Sequence, residues 1–172
     1  MADFPAQDVQ RLRQAPGAGM MDAKRALTEN GGDMEAAAQW LREKGMAKVA
    51  KLAERENSQG SVAVVVDGQA GAIVELKCET DFSAKSDDFT SITQDLADAV
   101  VARGPGAVDE LAERLDALRI AKRENIEIGA VVHFEAAEGS VLDSYLHLQE
   151  GRGVNAVLVE LSGGNRELAH QI

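Results

Sequence analysis

The sequence predicts an α+β fold, in which a small set of helices precedes an antiparallel sheet core. Two observations support this prediction. Up to residue 56 the apolar side chains recur at spacings of three and four, as they do along one face of an amphipathic helix. Beyond residue 57 several segments rich in valine, isoleucine and leucine change to a period of two, which is typical of strands.

Residues 1–45 predict a module of three short helices. Glycine-containing breaks separate them at Pro16 to Gly19 and at Asn30 to Gly32, and Asp33 is placed to cap the third helix. Because the module is so small, we expect its core to depend on Trp40 and its neighbours. The apolar positions of the three helices are Val9 and Leu12; Ala23, Ala26 and Leu27; and Ala37, Trp40 and Leu41.

The spacing of apolar side chains in residues 46–57 predicts a helical linker. Its apolar positions form one stripe, while a second stripe is basic. A solvated helix face is the simplest interpretation of the basic stripe, with a minor electrostatic contact to RNA or to an acidic protein as the alternative. The apolar stripe contains Met46, Val49, Ala50 and Ala53, and the basic stripe contains Lys44, Lys48, Lys51 and Arg55.

The segment from 58 to 125 predicts a first core subdomain. Two strands, SVAVVV and AIVELKC, flank the turn sequence DGQAG and indicate a β-hairpin. A helix follows, with Ser86, Asp87 and Asp88 at its start. A second helix is predicted farther along. The apolar positions of these helices are Phe89, Ile92, Leu96 and Val100, and then Val108, Leu111, Leu115 and Leu118.

Residues 126–172 predict a second subdomain related to the first. The segments GAVVHFEA, SVLDSYLH and AVLVEL have the pattern of strands. GSV at 60–62 recurs at 139–141, and IVEL at 73–76 recurs as LVEL at 158–161, each followed by a predicted helix. Because the helix near Asn165 has only about two turns before the sequence stops, we expect this second unit to be incomplete.

Composition restricts the function classes. A net charge of -11 disfavours direct binding of nucleic acid or anionic lipid, so a protein partner is expected. The single cysteine, Cys78, cannot form an intramolecular disulfide, and neither a signal peptide nor a transmembrane run is evident, which favours the cytoplasm. The sequence has no metal-ligand spacing, no phosphate-binding loop and no Ser/His/Asp or Cys/His set of catalytic residues. We therefore predict that the protein binds no cofactor and is not an enzyme.

Two long segments resemble the signature regions of bacterial elongation factor Ts. They are LRQAPGAGMMDAKRALTENGGDMEAAAQWLREKG (Leu12–Gly45) and VELKCETDFSAKSDDF (Val74–Phe89). Weaker similarity extends along nearly the whole chain, but the C-terminal portion of longer family members is absent. The resemblance implies a ubiquitin-associated-like helical module and a protein that binds elongation factor Tu and accelerates release of GDP.

The same resemblance implies which residues touch the partner. Thr80, Asp81 and Phe82 would form the tip of a loop that enters the GTPase domain near its magnesium site, with the phenylalanine as a rigid apolar wedge. Arg13, Met20 and Met21, around the GAGMM loop, would grip a helix of that domain, and His147 would approach the partner's third domain. The sequence departs from the family pattern at Ser83, usually valine, and at Pro16, usually threonine.

Simpler interpretations of these residues stay open. Phe82, Met20 and Met21 could belong to the core, Arg13 could be an ordinary solvated residue, and Cys78 is expected to be a buried, inert thiol on the strand face of Val74 and Leu76. Two rival functions also remain. One is an adaptor that binds a GTPase or another protein through the helical module without releasing nucleotide, and the other is an RNA-binding or ribosome-associated protein.

Overall fold

A computed structural model of the chain describes residues 4–15 and 17–171. Pro16, the family departure and predicted helix break, therefore lies outside the described residues, as does Ile172, where the sequence stops. The contacts between residues divide the chain into two compact units. The first comprises the described residues through Arg55 together with Asp116–Asn125, and the second comprises Glu56–Leu115 and the residues from Ile126 onward.

Three helices form most of the first unit, as predicted. They are α1 (Ala6–Leu12), α2 (Met20–Glu29) and α3 (Met34–Ala50). Asp33 caps α3 as expected, because its carboxylate accepts hydrogen bonds from the backbone N–H groups of Glu35 and Ala36 at 2.9 and 3.0 Å. The apolar positions spaced by three and four make the core, which contains Val9, Leu12, Ala23, Ala26, Leu27 and Ala37.

The role expected of Trp40 is wrong in one respect. Its side chain is only partly buried and packs against the core, in which Ala23, Ala26, Leu27 and Ala37 are fully buried. The ammonium of Lys44, one turn along α3, lies 3.9 Å from the centroid of the indole ring. Small alanines let the helices approach closely, so the core closes without enclosing the large ring.

Helix α3 continues without a break from Met34 to Ala50, and a turn follows. The boundary drawn from the sequence at residues 45 and 46 therefore falls inside a helix. Gly45 is located in the middle of α3, where a Cβ would meet the side chain of Ile120 at 2.9 Å. A glycine that permits a close approach within the first unit explains why this position resembles a helix end in the sequence.

The second unit contains two antiparallel sheets. The first consists of β1 (Gln59–Asp67), β2 (Ala70–Cys78) and β3 (Glu127–Glu135), in that spatial order. The second consists of β4 (Ser140–Gln149) and β5 (Arg152–Ser162). All five predicted strands are thus present.

The β1–β2 hairpin turns through Gly68 and Gln69, because Asp67 pairs with Ala70. Gly68 has a φ of 59°, and Gln69 has a negative φ, which is the pattern of a two-residue turn with glycine first. The aspartate that suggested an Asp-Gly turn is therefore the last strand residue. Its glycine supplies the left-handed backbone that the turn requires.

Strand β3 pairs with β2 in the first sheet, with Ile73 opposite Val132 and Val74 opposite Val131. The sequence boundary at residue 126 assigns this strand to the second subdomain instead. Only β4 and β5 form the second sheet among the described residues. The period-two pattern correctly locates the strands, but it does not show that β3 pairs with the second edge of β2.

Helices of the second unit pack against its strands. After the single-turn helix α4 (Asp81–Ala84), α5 (Asp87–Arg103) packs against β1 and β2, burying Phe89 and Leu96 fully. The predicted second helix is divided into a 3₁₀ helix (Pro105–Leu111) and α6 (Ala112–Lys122), and α6 belongs to the first unit from Asp116 onward. The short helix α7 (Arg166–His170) packs mainly on β4. No helix within the described part of the chain is long and apolar enough to span a bilayer.

Candidate functional site

Helix α4 begins immediately after the first hairpin. Thr80 is its N-cap, and the Thr80 Oγ1 atom accepts a hydrogen bond from the backbone N–H of Ser83 at 3.2 Å. Two residues earlier, the thiol of Cys78 donates to the carbonyl oxygen of Thr80 at 3.2 Å. Cys78 is fully buried on the strand face of Val74 and Leu76, as expected. The buried end of β2 thus fixes the start of the turn.

Phe82 lies in the first turn of α4 and has 84% of its surface exposed. The interpretation of this ring as part of the core is therefore wrong. The next two residues, Ser83 and Ala84, are buried beneath it, so one side of the short helix holds to the domain while the ring projects from the other. The expected loop tip is instead a capped helical turn, which fixes the backbone on both sides of the ring.

Asp81 is not a free negative charge. Its Oδ2 atom lies 2.8 Å from the Nζ atom of Lys85, four residues along the chain. The same ammonium forms an ion pair with Glu150 in the turn between β4 and β5. The hydrogen bond from Lys85 holds the pKa of Asp81 below its ordinary value, and the hydrogen bonds to Asp81 and then Glu150 raise the pKa of Lys85.

A shallow, open concavity surrounds this turn. The guanidinium of Arg152 at its edge donates to the carbonyl oxygen of Gly60 at 2.7 Å, which ties the start of β5 to β1. The strand that follows the Glu150 turn is therefore tied to the strand that precedes the first hairpin turn. The concavity is lined by Gln59, Glu79, Thr80, Asp81, Phe82, Lys85, Glu150 and Arg152.

His147 lies on β4 and is exposed. Its Nδ1 atom and the Tyr145 Oη atom share a hydrogen bond at 3.2 Å, and the two ring centroids are 6.4 Å apart. Tyr145 is itself exposed and pairs with Val157 on β5. The predicted residue thus belongs to an aromatic pair on an accessible sheet face.

The remaining predicted contact residues belong to the first unit. Met20 and Met21 form the first turn of α2, after the N-cap Gly19, and are 45% and 74% exposed. The interpretation of these methionines as core residues is wrong, because the alanines and Leu27 fill the core instead. Arg13 is an exposed residue directly after α1. The first unit therefore presents two flexible apolar side chains to solvent.

No cluster of three or more histidine, cysteine, aspartate or glutamate side chains suited to hold a metal ion occurs in the range 4–15 and 17–171.

Residues 79–172 match the family model described as elongation factor TS. This is more than half of the chain, and the matched segment includes Thr80, Asp81 and Phe82. The chain belongs to the elongation factor Ts family.

Curated relatives extend the similarity over the rest of the chain. The elongation factor Ts of Ruegeria sp. (strain TM1040) is 43% identical over an alignment that covers 95% of this chain and 59% of the relative. That of Parvibaculum lavamentivorans is 40% identical over the whole chain and 61% of its own length. That of Symbiobacterium thermophilum is 40% identical over 98% of this chain and 57% of its own length. The chain thus spans about three fifths of the length of these elongation factor Ts proteins.

Sequence reasoning did not find Lys85 and Glu150. An aspartate followed four residues later by a lysine is a recognisable helical ion pair, so the Asp81 and Lys85 spacing was available as a signal. Glu150 is 65 residues away from Lys85 in a different hairpin, and no local pattern brings it to this site.

Proposed function

We propose that this chain binds elongation factor Tu and promotes release of GDP in translation elongation, acting in the cytoplasm without covalent chemistry. The observation that supports this proposal most strongly is the exposed ring of Phe82 on a capped helical turn. A phenylalanine with 84% of its surface in water contributes little to its own domain's core. In a member of the elongation factor Ts family, such a ring is available to a partner.

Exchange of this kind is a matter of thermodynamic linkage. A nucleotide bound with nanomolar affinity is held by about 12 kcal/mol, so it leaves slowly by itself. A partner that prefers the nucleotide-free conformation lowers the affinity for nucleotide, and nucleotide lowers the affinity for that partner by the same factor. The chain needs to separate side chains in the GTPase but does not need to break a bond.

Phe82 is suited to this separation. Its side chain has two rotatable bonds, and the capped turn beneath it is already ordered, so little conformational entropy is lost when the ring enters a partner. Burial of the ring supplies favourable free energy that is absent while it lies in solvent. We place the ring beside the magnesium site of the GTPase domain, with Thr80 and Asp81 adjacent to it.

The other contacts are assigned by the same proposal. Met20 and Met21 supply adaptable apolar contact to a helix of the GTPase domain, with Arg13 beside them in the first unit. On the second unit, His147 approaches the partner's third domain together with Tyr145, which is hydrogen bonded to it.

Release of a fluorescent GDP analogue from purified elongation factor Tu, followed by stopped flow with this 172-residue chain, tests the proposal. We expect the release rate to rise with chain concentration and then to saturate. The exposed methionines of the first unit are also consistent with the alternative function, an adaptor that binds a GTPase without releasing its nucleotide. An adaptor would form a complex, detectable by calorimetry, yet leave the release rate at the value for elongation factor Tu alone.

A further inference from the structure

Lys85 connects two parts of the second unit that are far apart in sequence. Its Nζ atom lies 2.8 Å from Asp81 Oδ2 in α4 and also contacts Glu150 in the β4–β5 turn. The backbone N–H of Lys85 donates to the Asp81 carbonyl oxygen at 3.1 Å, which closes the short helix. One side chain therefore holds both the helix that carries Phe82 and the neighbouring hairpin.

Helix α4 needs such an attachment. A helix of four residues has too few internal hydrogen bonds to be stable by itself, so its conformation depends on its surroundings. The N-cap at Thr80 fixes its beginning. The ion pairs of Lys85 fix its end, where an isolated turn would fray.

Glu150 lies in a tight turn between β4 and β5. Glu150 has a φ of 52° and the following Gly151 a φ of 82°, which together form the tight β4–β5 turn. Arg152, two residues after Glu150, is bound to the Gly60 carbonyl oxygen at the start of β1. The turn that presents the Glu150 carboxylate is therefore connected to the first sheet on its other side.

We propose that Lys85 is a positioning residue, which uses Glu150 as its anchor to hold the Phe82 turn in the orientation that acts on the partner. This inference rests on the proposed function. It predicts that loss of the Lys85 charge lowers the maximal rate of GDP release more than it lowers affinity for elongation factor Tu. The reason is that the ring and its contact area remain while the ring loses its fixed direction.

The chain offers a matched control for the experiment. The second unit contains two lysines, Lys85 and Lys77, and Lys77 lies on β2 outside the Asp81 and Glu150 network. K85M and K77M remove the same charge and keep a similar aliphatic stem. K85R keeps the charge, and E150Q removes only the anchor. Thermal unfolding of each variant reports whether the fold is retained.

We expect K85M and E150Q to lower the saturating rate of GDP release by about two- to fivefold, a size compatible with loss of an exposed ion pair. The chain concentration for half-maximal rate should change little, K77M should match the unchanged chain, and K85R should recover most of the rate. Equal rates for K85M and K77M would overturn the proposal. So would a normal rate for E150Q, because the anchor would then be unnecessary.

A second measurement does not depend on exchange. In the free protein, NMR titration should show that K85M raises the pKa of the Asp81 carboxyl group, because the hydrogen bond from Lys85 lowers it. Hydrogen exchange at the Ser83 and Ala84 amides should be faster in both K85M and E150Q. If the unchanged chain fails to release GDP, the proposed function fails. Unaltered amide exchange in both variants would instead remove the positioning role.

Discussion

Thr80 Oγ1 accepts a hydrogen bond from the backbone N–H of Ser83 at 3.2 Å, and the exposed Phe82 lies between these two residues. The cap satisfies one of the N–H groups that a helix leaves unpaired at its beginning. It therefore determines the direction in which the first turn, and the ring on it, leaves the strand. The buried side chains of Ser83 and Ala84 and the ion pair of Lys85 with Asp81 hold the rest of α4.

If the chain promotes GDP release as proposed, replacement of this cap should slow that release. T80A removes the side-chain acceptor, which costs on the order of 1 kcal/mol at a helix N-terminus, whereas T80S keeps it. We expect T80A to release GDP several times more slowly than T80S in the stopped-flow assay, with both chains folded by circular dichroism. Indistinguishable rates for the two variants would mean that the cap does not orient the ring.

The core of the first unit leads to a second prediction. Leu27 is fully buried in this core, so L27A leaves a cavity and should cost about 2 to 5 kcal/mol. Trp40 is partly buried, and its removal opens a groove to solvent instead of a closed cavity, so W40A should cost less. Urea unfolding followed by far-ultraviolet circular dichroism checks the order. A larger loss of stability in W40A would restore the central role first expected for the indole.

The contrast between these residues shows what the sequence could predict. Helical spacing correctly assigned Val9, Leu12, Ala23, Ala26, Leu27 and Ala37 to one core. It could not rank them, because hydrophobic size suggests Trp40 whereas close helix packing selects alanine and leucine. Burial at the centre of a core depends on tertiary distances, and spacing along one chain does not contain them.

The residues of the candidate site were likewise predicted only in part. The family signature directed attention to Phe82, and the structure adds that its ring is exposed and that a capped turn, not a loop, supports it. Spacing alone could not separate an exposed ring from a core phenylalanine such as Phe89, which is fully buried seven residues later. The ion pair of Lys85 with Glu150 depends on how two hairpins pack together, which the spacing of residues along the chain does not show.

We expect the stability of the fold to depend on pH through the contact of Asp143 with α7. Asp143 on β4 is buried, which opposes its ionisation, but hydrogen bonds from His170, the Ser144 N–H and Arg166 outweigh burial and lower the pKa of Asp143. A lowered folded-state pKa stabilises the fold above the ordinary value of 3.8, and this stabilisation is lost as the pH falls through the folded-state value.

The difference in unfolding midpoint between the unchanged chain and D143N should therefore shrink as the pH falls from about 5 to about 2. D143N removes the charge and keeps the shape, so it is the matched reference. Thermal unfolding at a series of pH values measures the difference. A gap that stays constant across this range would mean that the Asp143 carboxylate does not hold α7 through its charge.

Replacement of Phe82 is the most direct test of the proposed function. Phe82 is 84% exposed, so F82A should leave the fold and thermal stability of the chain almost unchanged. If the ring separates side chains in the GTPase, F82A should lower the saturating rate of GDP release from elongation factor Tu by about tenfold or more, as for an aromatic residue that carries much of an interface. A folded F82A chain that releases GDP as fast as the unchanged chain would contradict the proposed mechanism.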